Sequence, residues 1–229
     1  FTGYDHVNAL LRDRRFGRQI LHIASREELG LPEPQPHLAN FDLAERHSLP
    51  EIEPPEHTRL RTLVSRAFVS RHVERLRPEI AGLAETLIDG FERDGRTELL
   101  SSFADIIPVT MIARMIGIPD EMGPQLLKWS HAYVGMYMFK RTPEDELAAD
   151  QAAREFADYV KSLIAERRKA PREDLLSHMI HTEHKGQHLS DDELVSTTIV
   201  LLNAGHEATV HQIGNSVRVI LESGLPVPE

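Results

Sequence analysis

The sequence predicts a mainly α-helical fold with a long central helix and little β-structure. Apolar residues recur at spacings of three and four along most of the chain, as they do on the buried face of a helix. Ser190, with Glu193 three residues later, predicts a capped helix that continues to about Glu222 with few charges, a pattern typical of a helix buried on most sides. Strand signals are limited to the first residues and to 97–100.

The amino-terminal quarter is predicted to hold two helices on either side of a long loop. Asp5 is placed to cap a helix that ends near residues 16–17. Four prolines interrupt the segment 19–53, which predicts an irregular connection of unusual length. A second helix is expected to begin at Pro54 and Pro55, because proline suits a first helical turn.

Five further helices precede the central one. They are predicted to cover about 73–91, 103–116, 120–139, 144–169 and 172–184. Gly117 and Pro119 mark the end of the second of these, and Thr142 with Pro143 marks the start of the fourth.

Composition excludes several functional classes. The chain has 26 lysines and arginines against 36 aspartates and glutamates, a formal net charge of −10, which argues against general nucleic-acid binding. It contains no cysteine, so it forms neither a disulfide nor a thiolate ligand to a metal. The start shows no signal-peptide pattern, and no apolar stretch reaches the roughly 20 residues of a membrane span. We therefore expect a cytoplasmic location without membrane attachment.

Histidine is frequent, at 13 of 229 residues, and one group repeats at helical spacing. This spacing is compatible with transition-metal binding, and a solvated helix end and loop is the alternative interpretation. The group consists of His178, His181, His184 and His188. A second group, His206-Glu207 with His211, resembles a zinc-protease motif, but its histidines project about 140° apart around a helix, so we reject that interpretation.

The second predicted helix carries His57 and Arg61 four residues apart, so both project from one face. Together they could bind a carboxylate or a phosphate, and an ordinary polar helix face is the alternative.

The segment from Arg59 to Arg77 is locally basic, because it contains six arginines and a single acidic residue, Glu74. This local positive charge predicts either a solvated face or a dock for an acidic partner.

The central helix contains three small residues, Ala204, Gly205 and Ala208, which would allow a flat ligand or another backbone to approach closely. Glu207 lies among them, and a carboxylate inside a buried helix is costly unless it is paired or functional. Close helix packing with a salt-bridged Glu207 is the alternative interpretation.

These two segments, in this order, resemble the cytochrome P450 superfamily, and specifically its soluble bacterial members. The string PPEHTRLR at 54–61, followed by LVS and AF, is similar to helix C of that family, and AGHEAT at 204–209 is similar to the oxygen-activating groove of its helix I. The resemblance covers nearly the whole chain as a single partial domain. It divides the chain into a strand and helix B at 1–18, the B–C loop at 19–53, helices C–E at 54–118, the F–G lid at 119–170, helix H and its loop at 171–189, and helix I at 190–224.

The resemblance implies a role for each matching residue. His57 and Arg61 match the pair that binds the haem propionates, and Ala204 and Gly205 match the residues that open helix I above the iron. Glu207 matches the acid of an acid–alcohol pair that delivers protons to bound dioxygen. Ala208 stands where the alcohol of the pair is expected, and Thr209 is one residue late. Proton delivery would then use water, the substrate, or Glu207 through a relay.

The activity implied by the resemblance is that of a haem-thiolate monooxygenase, with b-type haem, a small organic substrate, and electrons from an acidic ferredoxin- or flavodoxin-type donor. That donor would dock near Arg59, Arg66, Arg71 and Arg75. The family's axial cysteine is absent, and the chain begins at Phe1, so we expect a segment without the amino-terminal β region and the cysteine-bearing half, inactive alone. A non-catalytic helical protein that binds through the helix I groove, or a metal site at residues 178–188, is the alternative.

Overall fold

The computed structural model describes residues 2–13, 15–19, 21, 23–68 and 70–224. The α-helices of this part of the chain are α1 (Tyr4–Arg12), α2 (Ala39–Glu45), α3 (Glu56–Ala67), α4 (Ser70–Phe91), α5 (Ile106–Ile116), α6 (Gly123–Val134), α7 (Pro143–Lys169), α8 (Leu175–His181) and α9 (Asp191–Ser223). The described residues contain no β-strand, only an isolated bridge between His184 and Gln187. The prediction of a mainly α-helical fold is confirmed.

Helix α9 is the element around which the others pack, as predicted. Ser190 Oγ accepts a hydrogen bond from Glu193 N, and the Glu193 carboxylate accepts one from Ser190 N, so the predicted capping box is present. Residues 193–199 are all buried, whereas the side chains after Val210 are half-buried or exposed. The helix contacts α2, α5, α6, α7 and α8. None of the helices in the described ranges has the length and apolarity needed to cross a membrane.

Helices α6 and α7 pack against each other, and both contact α9. Thr142 caps α7 and Pro143 lies in its first turn, as predicted, and Asp145 at the third helical position completes a second capping box. Trp129 of α6 stacks on Phe156 of α7 with ring centroids 5.2 Å apart. Aromatic contact area of this kind is a major contribution to core stability, so it fixes α6 against α7.

A buried ion pair joins the ends of α5, α7 and α8. Arg167 Nε donates to Asp174 Oδ2 at 2.6 Å, and Arg167 Nη2 donates to the Gly117 carbonyl at 2.7 Å. Asp174 also caps α8 through Ser177 N at 2.7 Å. Gly117 has a left-handed φ of 94°, and a Cβ at this position would lie 2.2 Å from Asp174 Oδ2, so only glycine fits.

The structure differs from the predicted loop at 19–53, because this segment contains α2. Phe41 and Ala44 are buried in the core, and the first turn of the helix is held by a distant carboxylate. Asp150 of α7 accepts hydrogen bonds from Asn40 N at 2.7 Å and from Phe41 N at 3.0 Å. A partner 110 residues away in sequence supplies the cap, so no local pattern reveals this helix.

Other differences lie at element ends. Gly3, not Asp5, is the N-cap of α1, and α1 ends at Arg12 rather than near residues 16–17. Residues 2–3 and 97–100 form no strand, and 100–104 form a π-helical turn. Phe1 and the carboxy-terminal prolines, Pro226 and Pro228, lie outside the described residues; α9 ends at Ser223, followed by Gly224 with a left-handed φ of 63°.

Candidate functional site

Helix α3 places His57 and Arg61 together, as their spacing predicts. Its opposite face is buried through Leu60, Leu63 and Val64, so the polar pair lies on the outer side. Both residues line an open groove of about 430 Å³ whose walls carry cations and hydroxyl groups. The other lining residues are Thr58, Thr62, Ser65 and Arg66. A groove of this composition suits an anion such as a carboxylate.

Arg59 belongs to a different environment. Its guanidinium donates to the Glu193 carboxylate at the start of α9, and the Glu193 side chain is only 6% exposed. This contact joins α3 to the capped end of α9. The charge of Arg59 is therefore already paired within the chain, and its part in a docking surface stays a prediction.

The remaining predicted docking residues are only partly described. Arg66 is exposed at the end of α3, and Arg77 is exposed on α4. Arg71 and Arg75 lie on α4, and their side chains are outside the described part of the chain.

The three small residues of α9 lie on two faces rather than in one groove. Ala204 and Ala208 are exposed and one turn apart. Gly205 instead faces α5, where a Cβ would lie 3.1 Å from Ile112 Cγ1 and 3.2 Å from Ile112 Cδ1. Close packing of α5 on α9 therefore explains Gly205, and an open small-residue face explains Ala204 and Ala208.

Thr209 lies on the Gly205 side of α9. Its hydroxyl donates to the Gly205 carbonyl at 3.1 Å within the helix. Both residues line an apolar groove of about 190 Å³ between α4, α5 and α9, with Leu76 and Met111 among its walls. The hydroxyl is therefore directed away from the Ala204–Ala208 face.

Glu207 is surrounded by imidazole rings. His131 Nε2 of α6 and His206 Nδ1 each lie 3.9 Å from Glu207 Oε1, and His211 Nε2 lies 3.9 Å from Glu207 Oε2. No sequence signal identifies His131, because it is an isolated histidine on another helix and has no spacing relation to the motif. Burial lowers the pKa of His206 below its ordinary value.

The histidines at 178–188 are not brought together as a metal site. Within the described ranges, no three of their ligand atoms lie within 4.8 Å of one another. His181 Nδ1 is hydrogen-bonded to the Ser177 carbonyl at 2.7 Å, and His188 Nδ1 to the Thr182 carbonyl at 3.0 Å. These contacts favour the alternative of a solvated helix end and loop.

The chain is similar to several curated bacterial proteins. It is 36% identical to the polyketide biosynthesis cytochrome P450 PksS of Bacillus subtilis, over 96% of this chain and 52% of that protein. It is 35% identical to the cytochrome P450 monooxygenase PikC of Streptomyces venezuelae, over 96% of this chain and 49% of that protein. The chain therefore spans about half the length of the curated relatives that it matches. No protein-family model matches it.

Solved structures show the same relation. P450BioI, in complex with acyl carrier protein ligated to hexadec-9Z-enoic acid, matches with a TM-score of 0.85 and 31% identity, over 96% of this chain and 54% of that one. The structure of PksS from Bacillus subtilis matches with a TM-score of 0.81 and 31% identity, over 97% and 53%. In sequence and in fold, this chain corresponds to about half of a bacterial cytochrome P450.

Proposed function

We propose that this chain forms the helical, substrate-side half of a haem-thiolate monooxygenase, which inserts one oxygen atom from O₂ into a small organic substrate. The observation that carries the proposal is the exposed small-residue face of α9 at Ala204 and Ala208, in a chain whose helices match the P450 fold. Relatives named nocardicin C N-oxygenase and mycinamicin IV hydroxylase/epoxidase, at 35% and 33% identity, support oxidation as the reaction class.

The residues present fit one side of a haem. Ala204 and Ala208 offer an exposed face without bulky side chains, against which a flat group can lie. His57 and Arg61 offer hydrogen-bond donors suited to two carboxylates. The bound haem would supply activation of O₂ at its iron. This chain has no cysteine, so it supplies no thiolate ligand, and we expect it to be inactive alone.

Proton delivery is assigned to Glu207, which would hold or pass a proton at its carboxylate. The neighbouring position, Ala208, has no hydroxyl group, and the Thr209 hydroxyl is bonded to the Gly205 carbonyl on another face of α9. The alcohol of the acid–alcohol pair is therefore missing from the Ala208 face. Water, the substrate, or Glu207 through a relay would complete the path.

The electron donor is proposed to be an acidic ferredoxin- or flavodoxin-type protein that docks at the exposed end of α3, near Arg66, and on α4, near Arg71 and Arg75. Charge complementarity supports this choice, because a locally basic surface on a chain of net charge −10 attracts an acidic partner. We expect the association rate to fall steeply as the salt concentration rises. For Arg66→Glu, the rate should fall less steeply with salt than for the parent chain.

Haem binding can be tested on the chain itself. Titration of the purified chain with haemin is expected to show weak binding, reduced roughly tenfold or more in Arg61→Ala, because a hydrogen bond to a charged group is lost. Arg77→Ala, which removes an exposed arginine of α4 that does not line this groove, is the matched control and should bind haemin like the parent. Equal losses in both variants would contradict a specific propionate site, and a thiolate-type spectrum of the reduced carbon monoxide complex would contradict the expected lack of a thiolate.

The monooxygenase assignment needs a complete haem site. A chimera in which this chain replaces the aligned half of the Bacillus subtilis PksS protein is expected to give a thiolate-type carbon monoxide spectrum and to consume O₂ with an electron donor. Ala208→Thr in that chimera should increase the fraction of O₂ that yields oxidised substrate, because it restores a hydroxyl beside Glu207. A folded, haem-loaded chimera that consumes no O₂ would overturn the assignment.

A further inference from the structure

Three metal-binding side chains converge where α6 meets α9. His131 Nε2 and His206 Nδ1 each lie 3.9 Å from Glu207 Oε1, and the ligand atoms of all three residues lie within 4.8 Å of one another. The two imidazole rings are 5.7 Å apart between centroids. One ligand comes from α6 and two from α9, so the fold rather than a local motif creates the cluster.

His206 gives an independent indication that this cluster serves a ligand. Its side chain is 1% exposed, and neither ring nitrogen has a hydrogen-bond partner among the described residues. A buried polar group without a partner costs free energy, so its retention calls for an explanation such as an ion.

We propose that His131, His206 and Glu207 form a binding site for zinc or a similar divalent transition metal. Two imidazoles and one carboxylate are a common zinc ligand set, with a fourth position open to water or another side chain. Tetrahedral zinc with bonds of about 2.0–2.2 Å separates its ligand atoms by about 3.4 Å. The observed 3.9 Å separations therefore need only small side-chain rotations, and His131 has the freedom to make them because its side chain is 57% exposed.

His211 lies at the edge of this cluster. Its Nε2 is 3.9 Å from the second Glu207 oxygen, but its ligand atoms are not among those that lie within 4.8 Å of one another. This arrangement differs from a zinc-protease motif, in which both histidines come from one helix. Here the histidine of α6 replaces the missing same-face partner.

A second possible cluster is less suited to a metal. His47, Glu56 and Glu193 also bring their ligand atoms within 4.8 Å of one another. The Glu193 carboxylate, however, already accepts hydrogen bonds from Arg59 and from Ser190 N. Metal binding there would break the cap of α9 and the contact between α3 and α9. This cluster therefore provides a control site of similar composition.

The test is titration of the purified, tag-free chain with ZnCl₂ by isothermal titration calorimetry, with Co²⁺ absorption spectra as a report of the coordination geometry. The expected result is one zinc ion per chain and a four-coordinate Co²⁺ spectrum. His131→Ala and Glu207→Gln should each weaken zinc binding about tenfold or more. His47→Ala and the double variant His181→Ala, His184→Ala should bind zinc like the parent. Circular dichroism of each variant verifies the helical fold.

Several outcomes would overturn the proposal. They are absence of zinc uptake by the parent chain, uptake that His131→Ala and Glu207→Gln leave unchanged, or loss of binding confined to His47→Ala or to the 181/184 double variant. Because His131 and Glu207 are both partly exposed, their variants are expected to fold. Zinc bound here would occupy the Glu207 carboxylate to which proton delivery is assigned, so the two roles exclude each other at any one time. The readout is metal binding to the chain, so it does not depend on haem or on the proposed monooxygenase activity.

Discussion

Asp174→Ala removes a carboxylate that holds together the ends of three helices. Arg167 and Asp174 are 1% and 6% exposed, and their contact at 2.6 Å is accompanied by the bond from Arg167 Nη2 to the Gly117 carbonyl at 2.7 Å. Without Asp174, the guanidinium remains buried. Among the described residues, the remaining acidic partner of Arg167 is Glu166, which lies 3.0 Å from Arg167 Nη1, is 46% exposed and compensates part of the charge. Because breaking a buried pair leaves an uncompensated charge, we expect a loss of about 3–5 kcal/mol in the free energy of unfolding.

Urea unfolding followed by far-ultraviolet circular dichroism measures this loss. Asp174→Asn keeps an oxygen that can accept from Ser177 N and so separates the charge from the helix cap, which alone contributes about 1 kcal/mol. Asp191→Ala is the matched control, since Asp191 pairs with Arg168 at the surface, where both side chains are about half exposed. That control should cost about 1 kcal/mol or less. A loss for Asp174→Ala no larger than the loss for Asp191→Ala would refute the stabilising role of the buried ion pair.

Two further predictions concern packing and pH. Gly205→Leu should destabilise the chain by about 1–3 kcal/mol, because the leucine side chain would collide with Ile112. Ala204→Leu, one residue away on the exposed face, should leave the free energy of unfolding close to that of the parent. Equal effects of the two variants in urea unfolding would contradict the packing role of Gly205. Burial raises the pKa of Glu45, which accepts a hydrogen bond from Tyr133, so the folded state retains this proton to higher pH than the unfolded state does. The free energy of unfolding should therefore fall as pH rises from the ordinary carboxyl pKa through the raised pKa of Glu45. Glu45→Gln should flatten that part of the curve of unfolding free energy against pH. An unchanged slope in this variant would contradict the raised pKa of Glu45.

Helices whose signals are local were predicted well. The capping boxes at Ser190 and Thr142 are present, and Gly117 ends α5 in the left-handed conformation. Each signal involves residues within one helical turn, so a short stretch of sequence contains both partners of the hydrogen bond. The face shared by His57 and Arg61 follows from the same helical geometry.

Elements that depend on distant partners were missed. The first turn of α2 is capped by Asp150, 110 residues away, and Arg59 is paired with Glu193, 134 residues away. Local spacing contains neither partner, so the sequence predicts a loop in place of α2 and gives no sign that Arg59 pairs with Glu193. His131 beside Glu207 was missed for the same reason.

The sequence by itself determined the helical class, the capped starts of α7 and α9, the polar face of α3 and the resemblance to cytochrome P450, because each of these rests on short-range periodicity or on contiguous motifs. Only the tertiary structure decided that Gly205 packs on Ile112 while Ala204 and Ala208 remain exposed, and that Glu207 is surrounded by histidines of two helices. The physical reason is that neighbouring positions on a helix point in directions about 100° apart, and which direction meets another helix is decided by packing between segments far apart in the chain.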